Sequence, residues 1–202
     1  MVAIIVYFFF SHVNIAAEAD CCDEDLKEDG VCFNIDVTLD RFFQGKTDCL
    51  PFSRSEAICQ EGGREQINLL TAFVDGSNVY GSDEHTAEGL RTKTDGLLRT
   101  HELGPTLPTR QDAEFESDEH QNPQDLVAGD IRATETPGLA GLHSLFVAEH
   151  NRIARELKRK EPELRDEELY QISRRVVGAE LQNIVFSELG FYFIFSSLQR
   201  PS

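Results

Sequence analysis

Hydrophobic positions recur at helical spacing over two long segments in the second half of the chain. Between Pro137 and Lys160, apolar residues return every three to four positions, which predicts an amphipathic helix. Its predicted inward stripe consists of Leu139, Leu142, Leu145, Phe146, Glu149, Ile153 and Leu157. A proline in the first turn and the basic residues 158–160 in the last turn fit the two ends of this helix.

A second helix is predicted from Asp166 to about Glu188, after the break at Pro162. Its stripe consists of Leu169, Ile172, Val176, Ala179, Glu180 and Ile184. No alternating pattern typical of strands competes with these two helices. The fold class is therefore predicted to be mainly α.

The middle of the chain is less regular. Ile67, Leu70 and Val74 precede a polar, Gly-containing centre, and further apolar residues follow up to Arg99. This order predicts a helix, a loop of the kind that binds ligands and a second short helix. Residues 100–125 are acidic, contain proline and have few apolar side chains, so we expect a surface excursion there.

The N-terminal part of the chain holds every cysteine: Cys21, Cys22, Cys32, Cys49 and Cys59. Their spacing fits no zinc site, and the residues around them are rich in Asp, Gly and Pro, which predicts loops held by disulfides in an oxidising compartment. Residues 1–19 begin with an apolar run that is too short to span a bilayer. This segment is either a signal peptide without the usual basic start or an altered start of the gene product.

Charge narrows the classes of partner. The chain has 36 acidic against 19 basic residues, a formal net charge of -17 and a pI of about 4.6. A surface of this sign repels a phosphate backbone, so nucleic-acid binding is not expected. Acidity alone fits cation binding, secretion or simply a well-solvated surface.

Residues 71–77 carry oxygen groups at every second position: the Thr71 and Ser77 hydroxyls, the Phe73 carbonyl and the Asp75 carboxylate. Calcium prefers about six to eight oxygen ligands of these kinds at about 2.3–2.6 Å. A curled backbone would bring the four groups onto one cation, whereas a plain turn built on Asp75 explains the same residues. Spacing alone leaves both interpretations open.

A second candidate segment, 128–136, lies directly before the first long helix. Arg132 and Glu135 are three residues apart, so that in a helical turn they share a face and by default form an ordinary ion pair. His150, within the helix, has no second histidine at metal-ligand spacing and is interpreted as a structural residue.

Five segments, in order, resemble successive signatures of the animal haem peroxidase family. They are residues 71–82 (TAFVDGSNVYGS), 128–135 (AGDIRATE), 145–157 (LFVAEHNRIAREL), 169–171 (LYQ) and 177–184 (VGAELQNI). The regions after Cys32 and Cys49 are similar to the disulfide region of the same family, nearest to its peroxidasin and peroxinectin branches. The resemblance covers about residues 20–188 and implies a partial domain of the peroxidase fold, with a disulfide-held N-terminal loop region.

The resemblance also implies roles for individual residues. Arg132 matches the distal arginine, a fixed cation that polarises the O–O bond of peroxide, and Glu135 matches the glutamate that is covalently linked to haem b. Thr136 stands where some members carry a methionine linked to haem, so that bond is not expected. The implied calcium ligands are Thr71, Phe73, Asp75 and Ser77. His150 and Asn151 keep packing and hydrogen-bonding roles in a core helix.

Both ends depart from the family pattern. His12 stands near the place of the distal histidine, but Ser11 and Val13 replace the aspartates that would attach haem and complete the calcium site. Residues 189–202 diverge, and no helix bearing a proximal histidine follows. We therefore expect this form of the chain not to be an active peroxidase.

Two functions of different class follow. The first is the family's haem-dependent reduction of hydrogen peroxide, coupled to oxidation of a small donor or a halide, in a secreted protein with extracellular matrix contacts and no stable membrane span. The second is a non-catalytic extracellular module for calcium binding or adhesion, and an acidic helical domain with neither cofactor is the plainest alternative. We expect the disulfides to join the pair Cys21 and Cys22 to Cys32 and Cys49 in some order, with Cys59 left over.

Overall fold

The computed structural model describes two compact units of the chain. Its described residues are Cys22, Cys32, Ile58 and the ranges 35–52, 65–66, 68–115 and 122–189. Among them, the described residues up to 69 form one unit and those from residue 70 onward form the other. The predicted N-terminal segment 1–19 and the tail beyond residue 189 lie outside the described residues.

A short antiparallel ribbon and a disulfide characterise the smaller unit. Strand β1 (Ile35–Asp36) pairs with strand β2 (Cys49–Leu50), and Cys49 is bonded to Cys22 across a Cα–Cα distance of 6.0 Å. Cys32 is also disulfide-bonded. The Cys22–Cys49 bond agrees with the predicted pairing, whereas Cys21 and Cys59 lie outside the described residues. The expected disulfide-held loop region is confirmed.

Helices make up the larger unit, which confirms the mainly α prediction. The described elements are α1 (Ser77–Tyr80), α2 (Glu84–Gly89), α3 (Pro137–Lys160), α4 (Asp166–Asn183) and a π-helical turn (Ile184–Leu189) that continues α4. The predicted helix before the loop is wrong, because the described residues 68–76 form bends and both short helices follow them. Within the described part of the chain, no helix has the length and apolar character that a membrane crossing requires.

The two long helices begin where the pattern predicts, but their buried faces are rotated from the predicted stripes. In α3 the buried side chains are Leu139, His143, Val147, His150, Asn151, Ile153 and Ala154, whereas Leu145 is 58% exposed. In α4 they are Leu169, Tyr170, Ser173, Val177, Gly178 and Leu181, whereas Val176 is 39% exposed. In α3 the rotation arises because His143, His150 and Asn151 lie inside, and a buried histidine or asparagine is stable when its hydrogen bonds are made.

Five residues of the predicted stripes lie together on another side of the helices: Phe146, Val176, Ala179, Glu180 and Ile184. They contribute to an open groove of about 510 Å³ lined by Phe146, Val176, Ala179, Glu180, Asn183 and Ile184. Each long helix therefore has apolar residues on two sides, one in the core and one along this groove.

The predicted surface excursion is partly buried. Leu107 and Ala113 are fully buried within the core cluster, and the backbone of Val127 donates to the Pro108 carbonyl at 2.9 Å. A local hydrogen bond stabilises the turn at Thr109, whose hydroxyl donates to the Asp112 carboxylate at 2.8 Å. The expectation of a surface excursion is therefore wrong around Leu107 and Ala113, which lie in the core, whereas Leu103 is 86% exposed as expected.

Candidate functional site

Oxygen atoms of the loop 71–77 converge around one hydroxyl. Thr71 Oγ1 lies 2.8 Å from Asp75 Oδ1, 3.0 Å from Ser77 Oγ and 3.4 Å from the Phe73 carbonyl oxygen. The backbone N–H of Ser77 donates to Asp75 Oδ1 at 2.9 Å, which fixes the carboxylate at the start of α1. The structure thus brings together all four residues that the sequence nominated.

The curl of this loop depends on the glycine at its end. Gly76 has a φ of +76°, a left-handed conformation that side chains rarely adopt, and it immediately precedes α1. The residue reverses the backbone so that the Ser77 hydroxyl turns back toward Thr71. Among the described residues, no three His, Cys, Asp or Glu side chains gather as a metal site. Cation binding here would therefore depend on hydroxyl and carbonyl oxygens beside a single carboxylate.

The segment before α3 consists of consecutive tight turns. Ala133 N–H donates to the Asp130 carbonyl at 3.0 Å, and Glu135 N–H donates to the Arg132 carbonyl at 3.1 Å. Thr136 then caps α3, its hydroxyl accepting the Leu139 N–H at 3.3 Å. Arg132 is partly buried and Glu135 is exposed, so one turn presents a cation and a carboxylate.

A buried carboxylate binds the guanidinium of Arg132. Nε and Nη2 of Arg132 donate to the two oxygens of Asp130 at 2.9 and 2.8 Å, and Asp130 is only 8% exposed. Sequence reasoning considered Glu135 as the partner and missed Asp130. The sequence places one acidic residue two positions before Arg132 and another three positions after it, so spacing alone does not show which carboxylate binds the guanidinium.

The two histidines of α3 are structural, as predicted for His150. His150 lies 2.9 Å from the Tyr80 hydroxyl through Nδ1 and 2.8 Å from the Gly96 carbonyl through Nε2. His143 lies 2.9 Å from the Leu139 carbonyl through Nδ1 and 3.4 Å from the Asn78 amide through Nε2. Burial lowers the pKa of His150 to about 4 and also lowers the pKa of His143. Both rings are therefore neutral, with both nitrogens in hydrogen bonds.

Asn151 is likewise a structural residue of the core. Its side-chain carbonyl accepts the Leu98 N–H at 2.7 Å, and its amide donates to the Leu98 carbonyl at 2.9 Å. The side chain thus replaces a strand partner for this buried backbone. This confirms the hydrogen-bonding role expected for Asn151.

The oxygen loop and the Arg132 turn meet at α1. Gly129 lies so close to the backbone of Ser77 and Gly81 that an added Cβ would overlap both, and the same Cβ would be 2.8 Å from the Tyr80 nitrogen. Gly129 directly precedes Asp130, and Ser77 closes the oxygen loop. The fold therefore joins two segments that lie about fifty residues apart in the chain. His12 lies outside the described residues, so its predicted place at the position of the distal histidine stays a prediction.

Comparison with known proteins identifies relatives along most of the chain. The family model described as animal haem peroxidase matches residues 8–194. The chain is 37% identical to mouse (Mus musculus) eosinophil peroxidase over 181 residues, which cover 83% of this chain and 25% of that protein. It is also 37% identical to the human (Homo sapiens) peroxidasin homolog over 185 residues, which cover 82% of this chain and 12% of that protein.

The fold has counterparts among solved structures. Peroxidase A from Dictyostelium discoideum aligns with a TM-score of 0.52 and 24% identity, over 70% of this chain and 31% of that one. At this identity the match shows similarity of fold alone. The chain spans about a quarter or less of the length of the eosinophil peroxidase and peroxidasin relatives.

Proposed function

Because the chain belongs to the animal haem peroxidase family, we propose that it forms part of a haem-dependent peroxidase site and supplies Arg132 for the reduction of hydrogen peroxide. The observation that carries this proposal is the turn at 130–135, which holds a guanidinium in a fixed orientation and exposes a carboxylate beside it. A fixed cation stabilises negative charge that develops on a leaving oxygen, without reorganising during the reaction.

The charged residues of this turn are suited to binding at the edge of a haem ring. Glu135 is exposed, so its carboxylate is accessible for the ester bond that the family resemblance implies, and Arg132 lies one turn away. Bound haem would supply the redox chemistry, with peroxide as oxidant and a small donor or halide as reductant. Arg132 would orient the peroxide and hold its developing charge, while Glu135 would keep the haem in place.

The described histidines do not fit the iron. Both ring nitrogens of His143 and of His150 lie within hydrogen-bond distance of protein atoms, and each ring is buried. Binding a metal through either ring would break one of these bonds and leave a buried partner unsatisfied. We therefore assign neither residue as an axial ligand, and this agrees with their proposed role in packing.

Calcium is the second proposed cofactor, held by Thr71, Phe73, Asp75 and Ser77. Support comes from the convergence of their oxygens within 2.8 to 3.4 Å of Thr71 Oγ1. These contacts resemble a ligand shell in donor type, with carboxylate, hydroxyl and carbonyl oxygens all present. Four donors are fewer than calcium prefers, so water or further residues would complete the shell.

The same loop supports a second candidate function, a calcium-binding module without peroxidase chemistry. This alternative needs only the oxygen cluster, which is built within residues 71–77. The disulfide between Cys22 and Cys49 supports an oxidising, extracellular location for either function. Secretion, matrix contacts and the identity of the electron donor are proposals that rest on the family.

A haem titration with the purified chain separates the two functions. The peroxidase proposal expects a Soret band that saturates with haem and is reduced in Arg132→Leu and Glu135→Gln variants. A thermal melt with calcium or EDTA, run without haem, tests the metal loop independently. Calcium-dependent stabilisation without any Soret band would reject the peroxidase function for this chain and favour the calcium module. No response to either cofactor would leave the plain helical domain.

A further inference from the structure

Asp130 binds both the backbone and the side chain of Arg132. Its Oδ1 accepts the backbone N–H of Arg132 at 2.9 Å and the Nε–H at 2.9 Å, while Oδ2 accepts from Nη2 at 2.8 Å. Two parallel N–H···O bonds between a guanidinium and a carboxylate fix both the distance and the plane of the guanidinium. A third bond to the backbone fixes the carboxylate relative to the chain that carries it.

Burial distinguishes this pair from the surface ion pairs of the same molecule. The Asp130 and Arg132 side chains are 8% and 18% exposed, whereas those of Glu149 and Arg152 are 26% and 61% exposed. An exposed pair rearranges freely at little cost, but a buried carboxylate needs its partner because water cannot replace it. The Asp130–Arg132 pair is therefore a fixed arrangement.

The surroundings hold the carboxylate in place. Gly129, just before Asp130, packs against the backbone of Ser77 and Gly81, and the Asp130 carbonyl accepts from Ala133. His143 is close enough for its pKa to respond to both charges, yet burial lowers that pKa and keeps the ring neutral. No positive charge on His143 therefore competes with Arg132 for the carboxylate.

We propose that Asp130 is a positioning residue, which orients the Arg132 guanidinium for a peroxide or a small anion in the distal pocket. The inference rests on the proposed function of Arg132 and extends it to a residue that does not itself touch the substrate. The two side chains together carry no net charge, so their field is weak at long range, and the Arg132 cation stabilises a bound oxygen at close range through its directed N–H groups. Without the carboxylate, the side chain keeps its charge but loses its defined direction.

Protection of Arg132 from chemical modification tests the pairing without haem. The full 202-residue chain is treated with a phenylglyoxal reagent, and labelling of each arginine is followed by mass spectrometry of Glu-C peptides. Losing a charge-assisted hydrogen-bonded partner should raise the Arg132 labelling rate about tenfold in Asp130→Asn. Asp130→Glu, which keeps a carboxylate, should restore most of the protection. Glu149→Gln is the matched control and should raise labelling of Arg152 but not of Arg132.

A spectroscopic signature separates positioning from a general structural effect. In ¹⁵N-labelled protein the Nε–H of Arg132 should be protected from exchange with water and should lose this protection in Asp130→Asn, while the amide spectrum of α3 and α4 is preserved. Equal labelling and equal exchange in wild type and Asp130→Asn, with intact circular dichroism, would overturn the proposal. If Asp130→Asn unfolds, the test depends on Asp130→Glu, which should keep Arg132 protected. A folded Asp130→Glu variant in which Arg132 is unprotected would also overturn the proposal. A missing Soret band rejects the proposed function instead and leaves these measurements unaffected.

Discussion

The Tyr80 hydroxyl and the His150 imidazole form a fully buried hydrogen bond of 2.9 Å between α1 and α3. The other ring nitrogen, Nε2, lies 2.8 Å from the Gly96 carbonyl, which can only accept. Nε2 therefore carries the proton, and the tyrosine donates to Nδ1. This chain of two bonds joins the helix beside the oxygen loop to the longest helix of the molecule.

Tyr80→Phe should destabilise the protein because the variant leaves Nδ1 of His150 buried without a donor. We expect a loss of about 1–3 kcal/mol in the free energy of unfolding, measured by urea denaturation. Tyr170→Phe is the matched control, since the buried Tyr170 hydroxyl has no hydrogen-bond partner among the described residues. Its stability should stay within about 0.5 kcal/mol of wild type. Equal losses in the two variants would contradict this account of the Tyr80 bond.

Acid should weaken the fold through His150. Burial lowers the pKa of this ring from 6.5 to about 4, so between these values the unfolded chain binds a proton that the folded chain does not. The contribution of the neutral His150 ring to the free energy of unfolding is therefore complete above about pH 6.5. It falls by about 3 kcal/mol as the pH drops to about 4. The difference in unfolding free energy between wild type and His150→Gln should therefore shrink with falling pH. A difference that stays constant from pH 7 to 5 would refute this assignment.

Gly129→Ala should be strongly destabilising, because the new methyl group overlaps the backbone of Ser77 and Gly81. Backbone on both sides cannot yield as a flexible side chain would, so we expect a loss of about 2–4 kcal/mol. Gly141→Ala serves as the control, since a Cβ at this helical position in α3 meets nothing within 4 Å. It should stabilise the protein by about 0.5–1 kcal/mol through helix propensity. Thermal denaturation followed by circular dichroism compares the two.

Arg91→Ala should destabilise the protein, because it removes the ion pairs of Arg91 with the first turn of α4. The Arg91 guanidinium lies 2.9 Å from Asp166 and 2.6 Å from Glu167, and its centre is 4.0 Å from the centroid of the Tyr170 ring. Since this arginine is buried and its partners are partly exposed, we expect a loss of about 2–4 kcal/mol in urea denaturation. Arg159→Ala breaks an exposed pair with Glu156 and should leave the urea midpoint close to that of wild type, because water and salt screen such a pair. Similar effects of both changes would show that burial of Arg91 is not decisive.

Asp75→Asn should remove most of the calcium response. If the loop binds calcium, a hundredfold excess over the dissociation constant stabilises wild type by about 2.7 kcal/mol, seen as a higher melting temperature. Asparagine keeps the shape of the side chain but removes the only carboxylate among the proposed ligands. Asp83→Asn, at the N-cap of α2, keeps a capping oxygen and should retain the full response. A calcium response that survives Asp75→Asn would refute the assigned site.

Part of the candidate site was predictable from the sequence. The order of oxygen groups from Thr71 to Ser77 nominated a loop, and the structure brings their oxygens together around one hydroxyl. Arg132 was nominated by resemblance to a motif, and the structure places it on a tight turn before α3. Its partner was not predictable, because Asp130 and Glu135 are both near in sequence and only the turn decides which carboxylate reaches the guanidinium.

Residues close in sequence determine where the long helices begin and end, but they do not determine which side of each helix is buried. Pro137 and the basic last turn mark the ends of α3 by local chemistry, so the pattern placed this helix correctly. The buried face depends on partners far away in the chain, such as Gly96 and Leu98, which make a histidine and an asparagine stable inside. Hydrophobicity alone could not identify that face.

The sequence by itself determined the family, the mainly α class, the cysteine-rich start and the residues of the two candidate segments. Tertiary structure decided that these segments meet at α1, that Asp130 holds Arg132 and that His143 and His150 are neutral packing residues. The physical reason is the distance along the chain over which each interaction acts. Propensities and turns act over a few residues, while burial and hydrogen bonding depend on neighbours that only the folded chain supplies.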